Sequence, residues 1–220
     1  MGVRIVLPSG TPAISVPRPS ATTGLVIGTD IWGVRPLFDD LAERLAAEWD
    51  MAVCVPEPFP GQDLPMELNP RVDAIRASSD ADRLRDMQEA AAVTGCDRVV
   101  MIGFCMGGMY ALKAASLDTF ERIVPFYGII CLPETWRSAG QREPLDLIAA
   151  GHPERLLAVI GEIDPYTPAD DVAALEALGV STLRFPEAGH AFVHDASRES
   201  YRADDAAIAW QTAKAWVSPA

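Results

Sequence analysis

The sequence predicts an α/β fold, a mostly parallel, doubly wound sheet with an N-terminal β-hairpin. Three observations lead there: apolar runs of about five residues recur along the chain, stretches of helical apolar spacing alternate with them, and one strand enters a helix through a glycine-crowded turn. Strands covered by helices on both faces read as unbroken apolar runs, because neither face meets water.

Taken in order, residues 3–7 and 13–16 are short β-branched runs around Pro8-Ser9-Gly10-Thr11-Pro12, which reads as a hairpin. Residues 25–27 form an apolar strand, and 36–49 set Leu37, Phe38, Leu41, Leu45 and Trp49 at helical spacing. A second buried strand is expected at 51–55, a helix at 82–94 and a third strand at 98–102. A helix over 107–116 follows, then strands at 123–127, 156–160 and 182–185, with helices at 168–178 and 204–217. Segment 56–79 holds five prolines and no clear period, so it reads as a long loop of the kind that often serves as a lid. Arg71 and Arg76 within it read as solvated surface.

At 220 residues, 49% hydrophobic and 22% charged, the chain has the size and apolar content of a single domain spanning 1–220. The balance of 18 Lys plus Arg against 31 Asp plus Glu gives a formal charge of -13, which argues against nucleic acid and membrane surfaces as partners. Pro8 interrupts the N-terminal apolar stretch too early for a signal peptide, Val6 breaks the myristoylation pattern, and no apolar run is long enough to span a bilayer. Four cysteines without a C-x-x-C pair, in a chain of this size, fit a reducing cytoplasm. The fold needs no partner chain, so a monomer is expected.

Residues 98–116, RVVMIGFCMGGMYALKAAS, carry the chemistry. Cys105 stands between strand and helix, with Gly103 two before it and Gly107 two after, followed by Gly108. This is the spacing of a nucleophile elbow with Cys in place of Ser, where small neighbours let strand and helix approach closely. A thiol at a helix start also faces the positive end of the dipole, which favours thiolate. The same residues lack the G-x-G-x-x-G of a dinucleotide site and the Lys of a phosphate loop. Cys54, Cys96 and Cys131 read as small core residues.

A thiol nucleophile needs a base, and the histidines are His152, His190 and His194. His190 follows a strand in Pro-Glu-Ala-Gly-His, at the end where ligands bind in such sheets, whereas His152 precedes its strand. His194 is expected on a first helical turn, facing the same region. Asp164 falls just past strand 156–160, between nucleophile and histidine in the chain order that an elbow implies. Asp170 and Asp171 read as first-turn residues of the next helix. The backbone N–H groups of Met106 and Ile31 are the candidate oxyanion donors. Asp30 reads as a turn residue or as a group acting on the site.

Together GTDIWG, GFCMGG, GEIDPYTP and GHAFVHDASRESY resemble the dienelactone hydrolase family, a cysteine branch of the α/β-hydrolase fold, nearly end to end. The resemblance implies a Cys105–His190–Asp164 triad, an Ile31 and Met106 oxyanion hole, attack on a lactone or ester carbonyl through an acyl-enzyme, and neither cofactor nor metal. The sequence departs from the family pattern twice. Asp30 stands where the archetype has a Glu that helps ionise the cysteine, and His194 stands where it has an Arg that binds the substrate carboxylate. Trp32, Phe104, Tyr127 and Phe192 read as pocket walls or as core. Two other readings compete with a carboxymethylenebutenolidase-like activity: a general carboxylesterase or thioesterase acting on a neutral substrate, and a catalytically idle binding module with Cys105 as a redox sensor.

Overall fold

A computed structural model describes residues 2–218. Eight strands form one sheet in the order β1-β2-β4-β3-β5-β6-β7-β8. The hairpin is β1 (Val3–Val6) with β2 (Pro12–Val16), and β2 also pairs antiparallel with β4 (Ala52–Pro56). From β4 onward the sheet is parallel through β3 (Thr23–Gly28), β5 (Arg98–Phe104), β6 (Arg122–Phe126), β7 (Leu157–Gly161) and β8 (Ser181–Phe185). Strands β3, β4 and β5 are buried along nearly their whole length, which explains their continuous apolar sequences.

The helices divide the core in two. On one face α1 (Pro36–Trp49) and α7 (Ala203–Val217) bury Phe38, Leu45, Ala209 and Val217. On the other lie α2 (Leu68–Ala77), α3 (Asp80–Val93), α4 (Met106–Lys113), α5 (Pro144–Ala149) and α6 (Ala169–Ala177), with Ile75, Met109, Ile148 and Leu175 among the buried residues. As expected, Asp170 and Asp171 occupy the first turn of α6.

Segment 56–79 is not a long loop, because it contains α2. Pro70 is the third residue of that helix, where backbone N–H groups have no intrahelical partner, so it does not break the hydrogen-bond ladder. Nor is Arg71 solvated surface: it is 6% exposed, and its guanidinium donates to the carbonyls of Ile31, Leu64 and Pro65 at 2.9–3.0 Å. It also lies over the Trp32 and Phe59 rings. Arg76 does remain exposed, beside Asp73. Helix α5 and the 3-10 turn Glu134–Trp136 lie where the sequence pattern showed no element. Among the described residues, no helix is long and apolar enough to cross a membrane.

Candidate active site

Cys105 follows β5 and caps α4 with φ 54° and ψ -113°, a conformation that costs a non-glycine residue strain. The turn is held by Cys105 N–H donating to the Phe126 carbonyl at 3.1 Å and Met109 N–H to the Cys105 carbonyl at 2.9 Å. Its neighbours must be glycine. A Cβ on Gly103 would sit 2.1 Å from the Gly107 carbonyl oxygen, and one on Gly107 would sit 2.3 Å from the Gly28 backbone. The close approach that the elbow spacing implies is therefore present at atomic contact.

His190 and Asp164 come from the carboxyl ends of β8 and β7, and His190 Nδ1 lies 2.7 Å from Asp164 Oδ2. The Asp164 side chain is fully buried, and its other oxygen accepts from Tyr166 N–H at 2.9 Å. Nδ1–H of His190 donates to the carboxylate, which leaves Nε2 for other chemistry. Burial disfavours the His190 imidazolium, but Asp164 and the sulfur of Cys105 outweigh it and push the pKa up to about 10. The next residue, Ala191, has φ 61°.

A second polar cluster lies beside this one. Asp30 holds Arg35 through two contacts of 2.7 and 2.8 Å, accepts from Trp32 N–H at 3.0 Å and lies 3.0 Å from His194 Nε2. Burial alone would raise the Asp30 pKa, but His194 and Arg35 bring it down to about 2. His194 is fully buried, and desolvation lowers its pKa despite Asp30, so it is neutral near pH 7. With its Nε2–H directed at Asp30, its Nδ1 accepts from the Tyr127 hydroxyl. His194 lies in a turn-and-bend segment, not on a helical turn: the chain around it runs through Ala191 with positive φ before α7 begins.

Cys105, His190, Asp30, Ile31, Trp32 and His194 line one pocket of about 520 Å³. Phe104, Tyr127 and Phe192 do not line it; they are fully buried beneath, where Phe104 stacks on His194 at 4.7 Å between centroids. Alternate strand residues face opposite sides of the sheet, which sends Phe104 under the turn that carries Cys105. Met106 is buried behind Cys105. Leu68, Val72, Ile129, Trp136, Tyr166 and Arg198 also line the pocket, and sequence reasoning missed them. The four-residue spacing of Leu68 and Val72 was the available signal for the first two.

His152 lies away from this pocket, on Asp118 at 2.9 Å. Cys54 is buried as expected, but Cys96 and Cys131 are only half-buried because their connections run near the surface. Desolvation, aided by Asp171, pushes the Cys131 thiol up to about 12. Among the described residues no cluster of three His, Cys, Asp or Glu side chains is suited to hold a metal.

Arg71 ties α2 to the loop that carries Ile31. Arg71→Met strands three carbonyls without their charged donor, so it is expected to destabilise the protein by about 2–4 kcal/mol and to lower kcat, because Ile31 loses its anchor. Urea unfolding and ester turnover measure both, and an unchanged unfolding midpoint would show that the guanidinium is dispensable.

The sheet order, the strained residue after the fifth strand and the groups gathered at the strands' carboxyl ends define an α/β hydrolase. More narrowly, the dienelactone hydrolase family matches residues 12–220, and the chain belongs to that family. It is 29% identical over 209 residues to a Synechocystis protein named "Putative carboxymethylenebutenolidase", covering 86% of this chain and 83% of that one. It is 26% identical over 225 residues to "Carboxymethylenebutenolidase" of Rhodococcus opacus, covering 92% and 84%. The crystal structure of a "Putative Dienelactone Hydrolase" from Klebsiella pneumoniae superposes with a TM-score of 0.86 at 25% identity, covering 99% of this chain and 98% of that one.

Proposed function

We propose that the protein hydrolyses a small lactone or ester through a Cys105–His190–Asp164 triad. The observation that carries this reading is the single line of groups: Cys105 at the strained apex, His190 next to it, and Asp164 at 2.7 Å holding the far side of the imidazole. The carboxymethylenebutenolidase names of two relatives support a lactone or ester as substrate.

The Cys105 thiolate attacks the carbonyl carbon, and the oxyanion that forms is held by the N–H groups of Met106 and Ile31. As the tetrahedral intermediate collapses, His190 donates a proton from Nε2 to the departing alkoxide. Asp164 fixes the ring orientation and stabilises the imidazolium. Neutral His190 then takes a proton from water, whose oxygen attacks the thioester and releases the acid with regeneration of Cys105. Asp30 is occupied by Arg35, His194 and Trp32 N–H, so its part is to set the loop that carries Ile31. Every group comes from one sheet, and we read residues 1–220 as a single catalytic domain.

Iodoacetamide should label Cys105 at one equivalent and abolish turnover of p-nitrophenyl butyrate in parallel, followed by mass spectrometry of the labelled peptide. Full turnover after complete labelling of Cys105 would remove it from the reaction.

A further inference from the structure

We propose that the site takes a neutral lactone or ester bearing a bulky apolar group and discriminates against an anionic one. This rests on the hydrolase reading above and adds the class of substrate to it. Two independent features carry it, the shape of the chamber next to Cys105 and the pairing of every charged side chain that lines it.

The chamber lies between α2 and the Glu134–Trp136 turn, and its volume of about 520 Å³ falls inside the range of roughly 300–1,000 Å³ typical of ligand pockets. Its walls beyond the reacting groups are mostly apolar, with Trp32, Leu68, Val72, Ile129, Trp136 and the Tyr166 ring outnumbering the polar Asn69, Thr135 and Arg198. Leu68 and Tyr166 are 49% and 46% exposed, so apolar surface stays in water until a ligand covers it. An acetyl-sized group leaves most of this surface wet; a longer or cyclic hydrocarbon group covers it.

The charges point the same way. Asp30 is matched by Arg35 at 2.7 and 2.8 Å, His190 by Asp164 at 2.7 Å, and Arg198 by Asp195 at 3.5 Å. His194 is neutral between Asp30 and the Tyr127 hydroxyl. Among the described residues that line the pocket, no cation is left without a carboxylate. A substrate carboxylate would have to share Arg198 with Asp195, which already neutralises it, and enter a chain of net charge -13, while also losing its own hydration. A neutral group meets none of these costs.

The test compares kcat/KM within matched pairs, with Cys105→Ala run alongside. On the acyl side p-nitrophenyl acetate is set against p-nitrophenyl hexanoate; on the alcohol side ethyl acetate is set against cyclohexylmethyl acetate. Mono-p-nitrophenyl adipate supplies a carboxylate on a chain of the same length as hexanoate. The larger member of at least one pair is expected to react at least tenfold faster, within the roughly two-hundredfold that four fully buried methylenes would give. The adipate monoester should be at least tenfold slower than the hexanoate ester. In Val72→Ser and Leu68→Ser the advantage of the larger substrate should shrink toward one, because the wall they supply becomes polar. The proposal is overturned if neither pair shows a size preference, or if the adipate monoester is cleaved as fast as the hexanoate ester, while turnover still depends on Cys105. Turnover that survives intact in Cys105→Ala overturns the Cys105 triad, and wild-type protein that cleaves none of these esters overturns the hydrolase reading itself.

Discussion

Cys105→Ala should lower kcat/KM on p-nitrophenyl esters by roughly ten-thousandfold or more, the scale on which removing the nucleophile of an acyl-transfer triad acts. Alanine supplies no atom to form the acyl-enzyme, while the turn that presents residue 105 is set by Gly103, Gly107 and the hydrogen bond to the Phe126 carbonyl. The variant should therefore melt close to wild type, so that the loss reports chemistry and not folding. Steady-state kinetics with a circular-dichroism melt measure both, and wild-type turnover in a folded Cys105→Ala protein would exclude the cysteine mechanism.

Asp164→Asn should cost about ten-thousandfold in kcat, because the amide can no longer hold the imidazole tautomer that leaves Nε2 toward the sulfur. A stability readout accompanies it. His190 has a folded pKa of about 10 against 6.5 for the free side chain. Its proton therefore binds more tightly in the folded state. The stabilisation is full below about pH 6.5 and is lost as pH rises toward 10. Removing the Asp164 carboxylate brings the folded value down and flattens that loss. Urea midpoints at pH 6 and pH 9 should separate more in wild type than in the variant, and equal separations would mean that Asp164 does not hold the His190 proton.

The candidate site was legible in the sequence because each of its three groups is tied to a strand end. An apolar run fixes the strand, its carboxyl end faces the crevice, and Cys105, Asp164 and His190 each follow such a run in the order an elbow requires. The wall facing them was not legible. Five prolines obscured the period of α2, although Pro70 sits where a helix tolerates it, and Arg71 looked like surface because its partners are backbone carbonyls that no sequence pattern marks. The Arg35 grip on Asp30 depends on the path of the loop between β3 and α1, so it too had no signature. The aromatic residues were ambiguous for a different reason: Phe104, Tyr127 and Phe192 adjoin pocket residues in the chain, but strand alternation and the turn geometry place their rings in the core.

Arg71 also governs how the pocket can breathe. Its guanidinium bonds the segment entering α2 and the carbonyl of Ile31 at once, so swinging the helix away from the loop that carries Ile31 breaks the Arg71–Ile31 hydrogen bond. With the helix anchored in this way, the wall that Leu68 and Val72 supply stands in place before a ligand arrives, and its ordering does not have to be offset by binding.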